Sequence, residues 1–112
     1  LPPYGTVFLP APSSAADLEW HIRSLYPYQV EIAFYSTNRN WQWPGNGQVW
    51  VLMDDKFKSF SLGCEYGEKI CYGAWVRGDA SLYWGVGYEN SQSCDSCCYV
   101  CGYGATQPIT LR

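Results

Sequence analysis

Charge is scarce in this chain, and basic charge scarcer still. Asp, Glu, Lys and Arg make up only 15% of the 112 residues, and Lys+Arg 7 against Asp+Glu 10 leaves a formal net charge of −3. With no basic surplus to neutralise phosphates, a nucleic-acid partner is not expected. No uninterrupted apolar run approaches the ~20 residues of a membrane-spanning helix, so no membrane span is expected either. The one histidine, His21, has no G-x-S-x-G or equivalent nucleophile motif to accompany it, which leaves Ser/His/Asp chemistry without a starting point. No segment repeats at a fixed period, and no Asn-x-Ser/Thr sequon occurs, Asn90-Ser91-Gln92 coming nearest. Aromatics and cysteines dominate instead: Tyr 10, Trp 6, Phe 4 and Cys 6, with 47% of residues hydrophobic. Such a chain is too apolar to be disordered, and its length suits one domain with one core.

Residues 1–16 differ from the rest. Leu1 to Pro12 hold Pro2, Pro3, Pro10 and Pro12, with the apolar, β-prone stretch Tyr4-Gly5-Thr6-Val7-Phe8-Leu9 between the two pairs. Proline favours extended geometry in its predecessor, and Pro12-Ser13-Ser14-Ala15-Ala16 reads as a link. The segment is either an edge strand of its own sheet or an assembly arm (Tyr4, Val7, Phe8, Leu9) that completes a neighbour's sheet. The start at Leu1, not at methionine, together with an even cysteine count, points to a removed leader and an extracellular or cell-surface protein.

From Asp17 onward the dominant period is two. Leu18, Trp20 and Ile22 alternate with polar residues, and Val30, Ile32 and Phe34 repeat the pattern. A helix from Ser14 is the competing reading of the first stretch, but Trp20 has no place on its apolar face. Further strands are expected at 48–53, 57–62, 69–76, 82–88 and, broken by Pro108, 106–111. The loop Asn38–Gly47 is dense in turn formers. About seven short antiparallel strands with turns every 8–12 residues predict an all-β, disulfide-stapled β-sandwich over 17–112, carrying an extended N-terminal arm.

Cys94-Asp95-Ser96-Cys97-Cys98-Tyr99-Val100-Cys101 joins two C-x-x-C units, with Cys64 and Cys71 upstream. Thiolates at this spacing suit Zn²⁺, but adjacent Cys97 and Cys98 point to opposite sides of an extended chain and cannot comfortably face one ion. Three disulfides fit better, and the favoured pairing closes Cys94–Cys101 locally while Cys97 and Cys98 reach Cys64 and Cys71. No metal and no cofactor are expected.

The carboxylate pairs Asp54/Asp55 and Glu65/Glu68 could serve glycoside hydrolysis or, for Asp54/Asp55, Ca²⁺, yet both lie in short turns without ligand spacing. Arg77-Gly78-Asp79 is the tripeptide that integrins read, and a Gly-containing hairpin turn accounts for it. No enzymatic activity is expected. The aromatics are more informative. Trp41 and Trp43 sit in a Pro/Gly loop and are expected to be exposed, while Trp50, Trp75 and Tyr83 are expected on a second sheet face. Such side chains stack on sugar rings or pack at subunit interfaces, unless both faces of the sheet are simply buried.

Asn38-Arg39…Trp43-Pro44-Gly45, Gly67-Glu68-Lys69-Ile70-Cys71-Tyr72-Gly73-Ala74-Trp75, Tyr83-Trp84-Gly85-Val86-Gly87 and Cys94-x-x-Cys97-Cys98-x-x-Cys101 are similar to small, uncharacterised, exported bacterial proteins. The likeness spans about residues 28–101. It implies a bacterial origin and transfers no activity. Together these features predict a non-enzymatic extracellular structural subunit, a homo-oligomer or homopolymer that self-assembles into a fibre by strand addition. The alternative is a carbohydrate-binding module with a glycan partner held by the exposed aromatics. An inhibitor or toxin-like domain is compatible with the cysteine framework but has no specific support.

Overall fold

The computed structural model describes residues 16–103 and 105–112. The expected arm, with Tyr4, Val7, Phe8 and Leu9, lies outside the described residues. Within them the chain is all-β, with nine strands and one short 3-10 turn at Tyr88–Asn90.

β1 (Ala16–Ser24) pairs antiparallel with β5 (Lys58–Cys64), matching Trp20 to Phe60 and His21 to Ser59. On its other edge β1 pairs parallel with β9 (Ile109–Leu111), Ile22 opposite Ile109. The second sheet is built on β2 (Val30–Ser36) and β6 (Lys69–Val76), antiparallel neighbours with Phe34 opposite Tyr72. Two short strands, β3 (Gln42–Trp43) and β4 (Trp50–Leu52), lie end to end along the free side of β2. β7 (Asp79–Gly85) and β8 (Cys98–Val100) do the same along β6.

The expectation of about seven antiparallel strands is therefore corrected: among the described residues there are nine, and the β1–β9 pair is parallel. The 38–47 loop contains a strand because Gln42 and Trp43 reach back to Tyr35 and Phe34. The cysteine run contains another because Cys98 stands opposite Cys71.

The core lies between the two sheets. Leu18, Trp20 and Ile22 alternate inward from β1, and Phe60 and Leu62 from β5, meeting Val30, Ile32, Phe34, Ile70, Tyr72 and Ala74. Trp20 is completely buried, its ring 5.0 Å from Phe34 and 5.3 Å from Tyr99. Large side chains buried in this way stabilise the fold by about 1.5–3 kcal/mol each. The outer face of the three-stranded sheet is polar, as one face of an antiparallel sheet in water requires.

The six-stranded sheet has no such open face where Trp75 lies. The chain after β7 doubles back over it, and Ala33, Tyr35, Cys71, Trp75 and Val86 form a second apolar layer joined by Val49, Cys94 and Cys98. Gly73 makes this approach possible, since a Cβ there would collide with the Gly87 carbonyl. The Tyr35 hydroxyl accepts the Glu89 backbone N–H at 3.1 Å, and burial pushes its pKa up to about 12.

Three disulfides are present: Cys64–Cys101, Cys71–Cys98 and Cys94–Cys97. Cys98 does bridge to Cys71, but the local Cys94–Cys101 closure and the reach of Cys97 to Cys64 are both corrected: Cys64 takes Cys101 and Cys97 takes Cys94. The β6–β8 register sets Cys71 directly opposite Cys98, and the Gly67 N–H donates to the Cys101 carbonyl beyond the strand end, where Cys64 is. Cys94 and Cys97 then remain to pair with each other.

Candidate functional site

Trp41 is the aromatic whose expected exposure is most clear: 53% of it is open to solvent. It immediately precedes β3, and its carbonyl accepts the Ser36 N–H at 3.0 Å while its own N–H donates to the Arg39 carbonyl at 2.9 Å. The Arg39 guanidinium stands over the Trp41 ring, 5.4 Å from its centroid, and 5.9 Å from that of Trp43.

Arg39 is itself held. Its Nε donates to Glu68 Oε2 at 2.6 Å and its Nη2 to Glu68 Oε1 at 3.1 Å, a bidentate pairing in which the carboxylate is buried. Glu68 Oε1 also accepts the Glu65 backbone N–H at 2.9 Å. Burial alone would raise the Glu68 pKa, but hydrogen bonds from Arg39, from the Glu65 amide and from the Ser36 hydroxyl hold it below the ordinary carboxylate value. Glu65 adds a looser contact to Arg39 at 3.6 Å. The pair Glu65/Glu68 is thus a clamp on the Trp-bearing loop. Asp54, the other expected carboxylate, accepts the Lys56 backbone N–H and faces Lys58 at 3.1 Å. Among the described residues no group of three or more potential metal-binding side chains occurs.

The remaining aromatics of interest are distributed differently from expectation. Trp43 is only 9% exposed, and its indole N–H donates to the Gly63 carbonyl at 3.0 Å. The expected exposed pair is corrected to Trp41 alone. Trp50 stands opposite Ile32, which turns its ring toward the core, 5.0 Å from Phe60 and 5.8 Å from Phe34. Trp75 does lie on the second face of its sheet but is 3% exposed, covered by the returning chain. Its indole N–H donates to Glu31 Oε1 at 2.8 Å, and its ring meets Tyr88 edge-on at 5.1 Å. Tyr83, opposite Trp75 across the ladder, stays 43% exposed.

His21 has a neighbour that the sequence does not announce. Its Nδ1 lies 3.1 Å from Ser59 Oγ, and its Nε2 is 4.0 Å from Glu19. The three residues line up because β1 and β5 place His21 opposite Ser59, on the open outer face of the sheet. Arg77 of the Arg-Gly-Asp turn lies along the sheet, donating to Gln29 Oε1 at 2.9 Å and facing Glu31 at 3.6 Å.

A second surface runs along one side of the sandwich. β4 and β5 terminate their respective sheets there, and a groove of about 290 Å³ opens between them, lined by Trp50, Val51, Leu52, Lys58, Ser59, Phe60 and Ser61. No described strand pairs with the outer edge of β5. The Gly63 carbonyl points outward there, to the Trp43 indole. By the two-residue alternation of strand polar groups, Ser61 and Ser59 present their N–H and C=O on that same side.

No family model matches this chain. Nor does any curated protein or solved structure. Three disulfides fit an oxidising compartment, and no described helix is long and apolar enough to cross a membrane.

Proposed function

We propose that this protein is a non-enzymatic extracellular structural subunit that assembles by strand addition, the segment Tyr4–Leu9 of one copy pairing with the outer edge of β5 in another. The observation that carries this reading is the edge itself: outward backbone groups at Ser59 and Ser61 with no described partner, beside a groove floored by Trp50 and Phe60. An exposed edge of this kind is a template for another strand. An added strand gains main-chain hydrogen bonds along β5 and sets alternate side chains against the groove, which supplies affinity and register together. The stretch Tyr4–Leu9 has the β-prone, apolar character the groove accepts, and the Pro/Ser/Ala link joins it to Ala16, opposite Cys64 at the end of β5. Because donor segment and acceptor edge are different parts of the chain, the contact is head-to-tail; such a contact need not close on itself, and where it does not close it extends into a filament.

The test is the mass of the full-length protein by sedimentation across a hundredfold concentration range, with electron microscopy of the concentrated sample. Growth with concentration is expected for the full chain and its absence in a chain lacking residues 1–12. A full chain that stays monomeric throughout, or a truncated chain that assembles equally well, overturns the proposal.

A further inference from the structure

We infer that the loop around Trp41 is a binding subsite for one ring of a neutral oligosaccharide, independent of the β5 edge. A pocket of about 240 Å³ is lined by Asn40, Trp41, Gln42, Pro44, Gly45 and Asn46. Drug-sized ligands occupy pockets of roughly 300–1,000 Å³, so a site of this size takes a single ring and leaves the rest of a chain in solvent.

The chemistry of the lining selects the class. Arg39 stands over the Trp41 ring, and about half of the residue stays exposed. A flat π surface of this sort, negative on its face, meets the C–H face of a pyranose, an apolar surface whose hydrogens carry partial positive charge. Asn40, Gln42 and Asn46 line the same pocket as Trp41, and the amide side chain of each residue type offers both a donor and an acceptor, the pattern that adjacent sugar hydroxyls require. None of the six lining residues carries a formal charge. Arg39, the cation over the Trp41 ring, is already paired to Glu68 and faced by Glu65, which favours a neutral sugar over an anionic one.

The loop is also held in shape before any ligand arrives. The Arg39–Glu68 clamp fixes one side, and a backbone hydrogen bond from Gln48 N–H to the Gly45 carbonyl at 3.0 Å closes the other. Asn46 occupies the left-handed region at φ 57° between Gly45 and Gly47, both also at positive φ. A prearranged site loses less conformational entropy on binding, which matters most for weak single-ring contacts.

Native gel electrophoresis of the full-length protein through gels containing hydroxyethylcellulose, xylan, galactomannan or laminarin tests this directly. Retardation is expected in at least one of the four gels. Trp41→Ala should weaken it by about tenfold, while Trp41→Tyr, which keeps a stacking face, retains most of it. Near-UV circular dichroism checks that both variants are folded. Migration unaffected by all four polysaccharides overturns the inference. So does retardation that persists undiminished in Trp41→Ala, or that is lost equally in a folded Trp41→Tyr.

Discussion

Glu68 is a carboxylate with only 3% of its surface exposed, and its charge is retained because three donors surround it. Removing one partner of a buried ion pair leaves the other uncompensated and costs about 3–5 kcal/mol; with Arg39 still 35% exposed, the lower end of that range applies here. Arg39→Ala should therefore lower the melting temperature and also loosen Trp41, whose fluorescence anisotropy would fall. The sign with pH follows from the depressed pKa of Glu68. Its contribution is complete above the ordinary glutamate value of 4.5 and fades as pH falls below that toward the folded value. Glu68→Gln is expected to be less stable than the parent at neutral pH, with a melting temperature that declines less steeply on acidification through and below 4.5. Equal slopes for the two proteins would remove Glu68 from the acid transition. Gly85 makes a second prediction of this kind. At φ 65°, with a Cβ set to collide with the Tyr72 carbonyl, Gly85→Ala should cost about 2 kcal/mol or more in chemical denaturation.

Strands and bridges divide the labour differently. Closing the loops behind Cys64–Cys101 and Cys71–Cys98, with separations of 37 and 27 residues, removes about 4 and about 3.5 kcal/mol of unfolded-chain entropy in the simple chain model; the three-residue separation of Cys94–Cys97 gives about 2. Replacing both Cys71 and Cys98 by serine should hence destabilise more than the same change at Cys94 and Cys97. The first pair also pins β8 to β6 and supports the layer over Trp75, so its loss is expected to increase hydrogen exchange across residues 86–98. Comparable protection in the two double variants would show that the apolar contacts hold the layer without the bridge. The alternation in β1 and β5 was legible from the residues, because Leu18, Trp20, Ile22, Phe60 and Leu62 recur every second position and all face one core. The orientation of Trp50 was not. It turns inward because it registers with Ile32 across the ladder, and no local pattern in a three-residue strand reports its register.

The proposed strand addition turns on the outer edge of β5, which no described strand covers. Ser61→Pro removes an outward-pointing N–H without taking a donor from the β1–β5 ladder, a position where an edge strand tolerates proline. The variant should fold with its three disulfides intact and fail to grow with concentration, whereas Ser61→Ala should assemble like the parent. Assembly of folded Ser61→Pro at parental concentrations would shift the interface away from β5. The β class, the oxidised cysteines and a core rich in Trp and Phe were all readable along the chain. They depend on composition and on a two-residue period, which are local properties. The cysteine pairing, the parallel β1–β9 contact, the covering of Trp75 and the survival of Trp41 as an exposed platform depend on which distant segments meet. Such contacts are chosen by register and by layer stacking over separations of tens of residues, where hydrophobic burial is indifferent to position in the chain and only the closed fold selects among the alternatives.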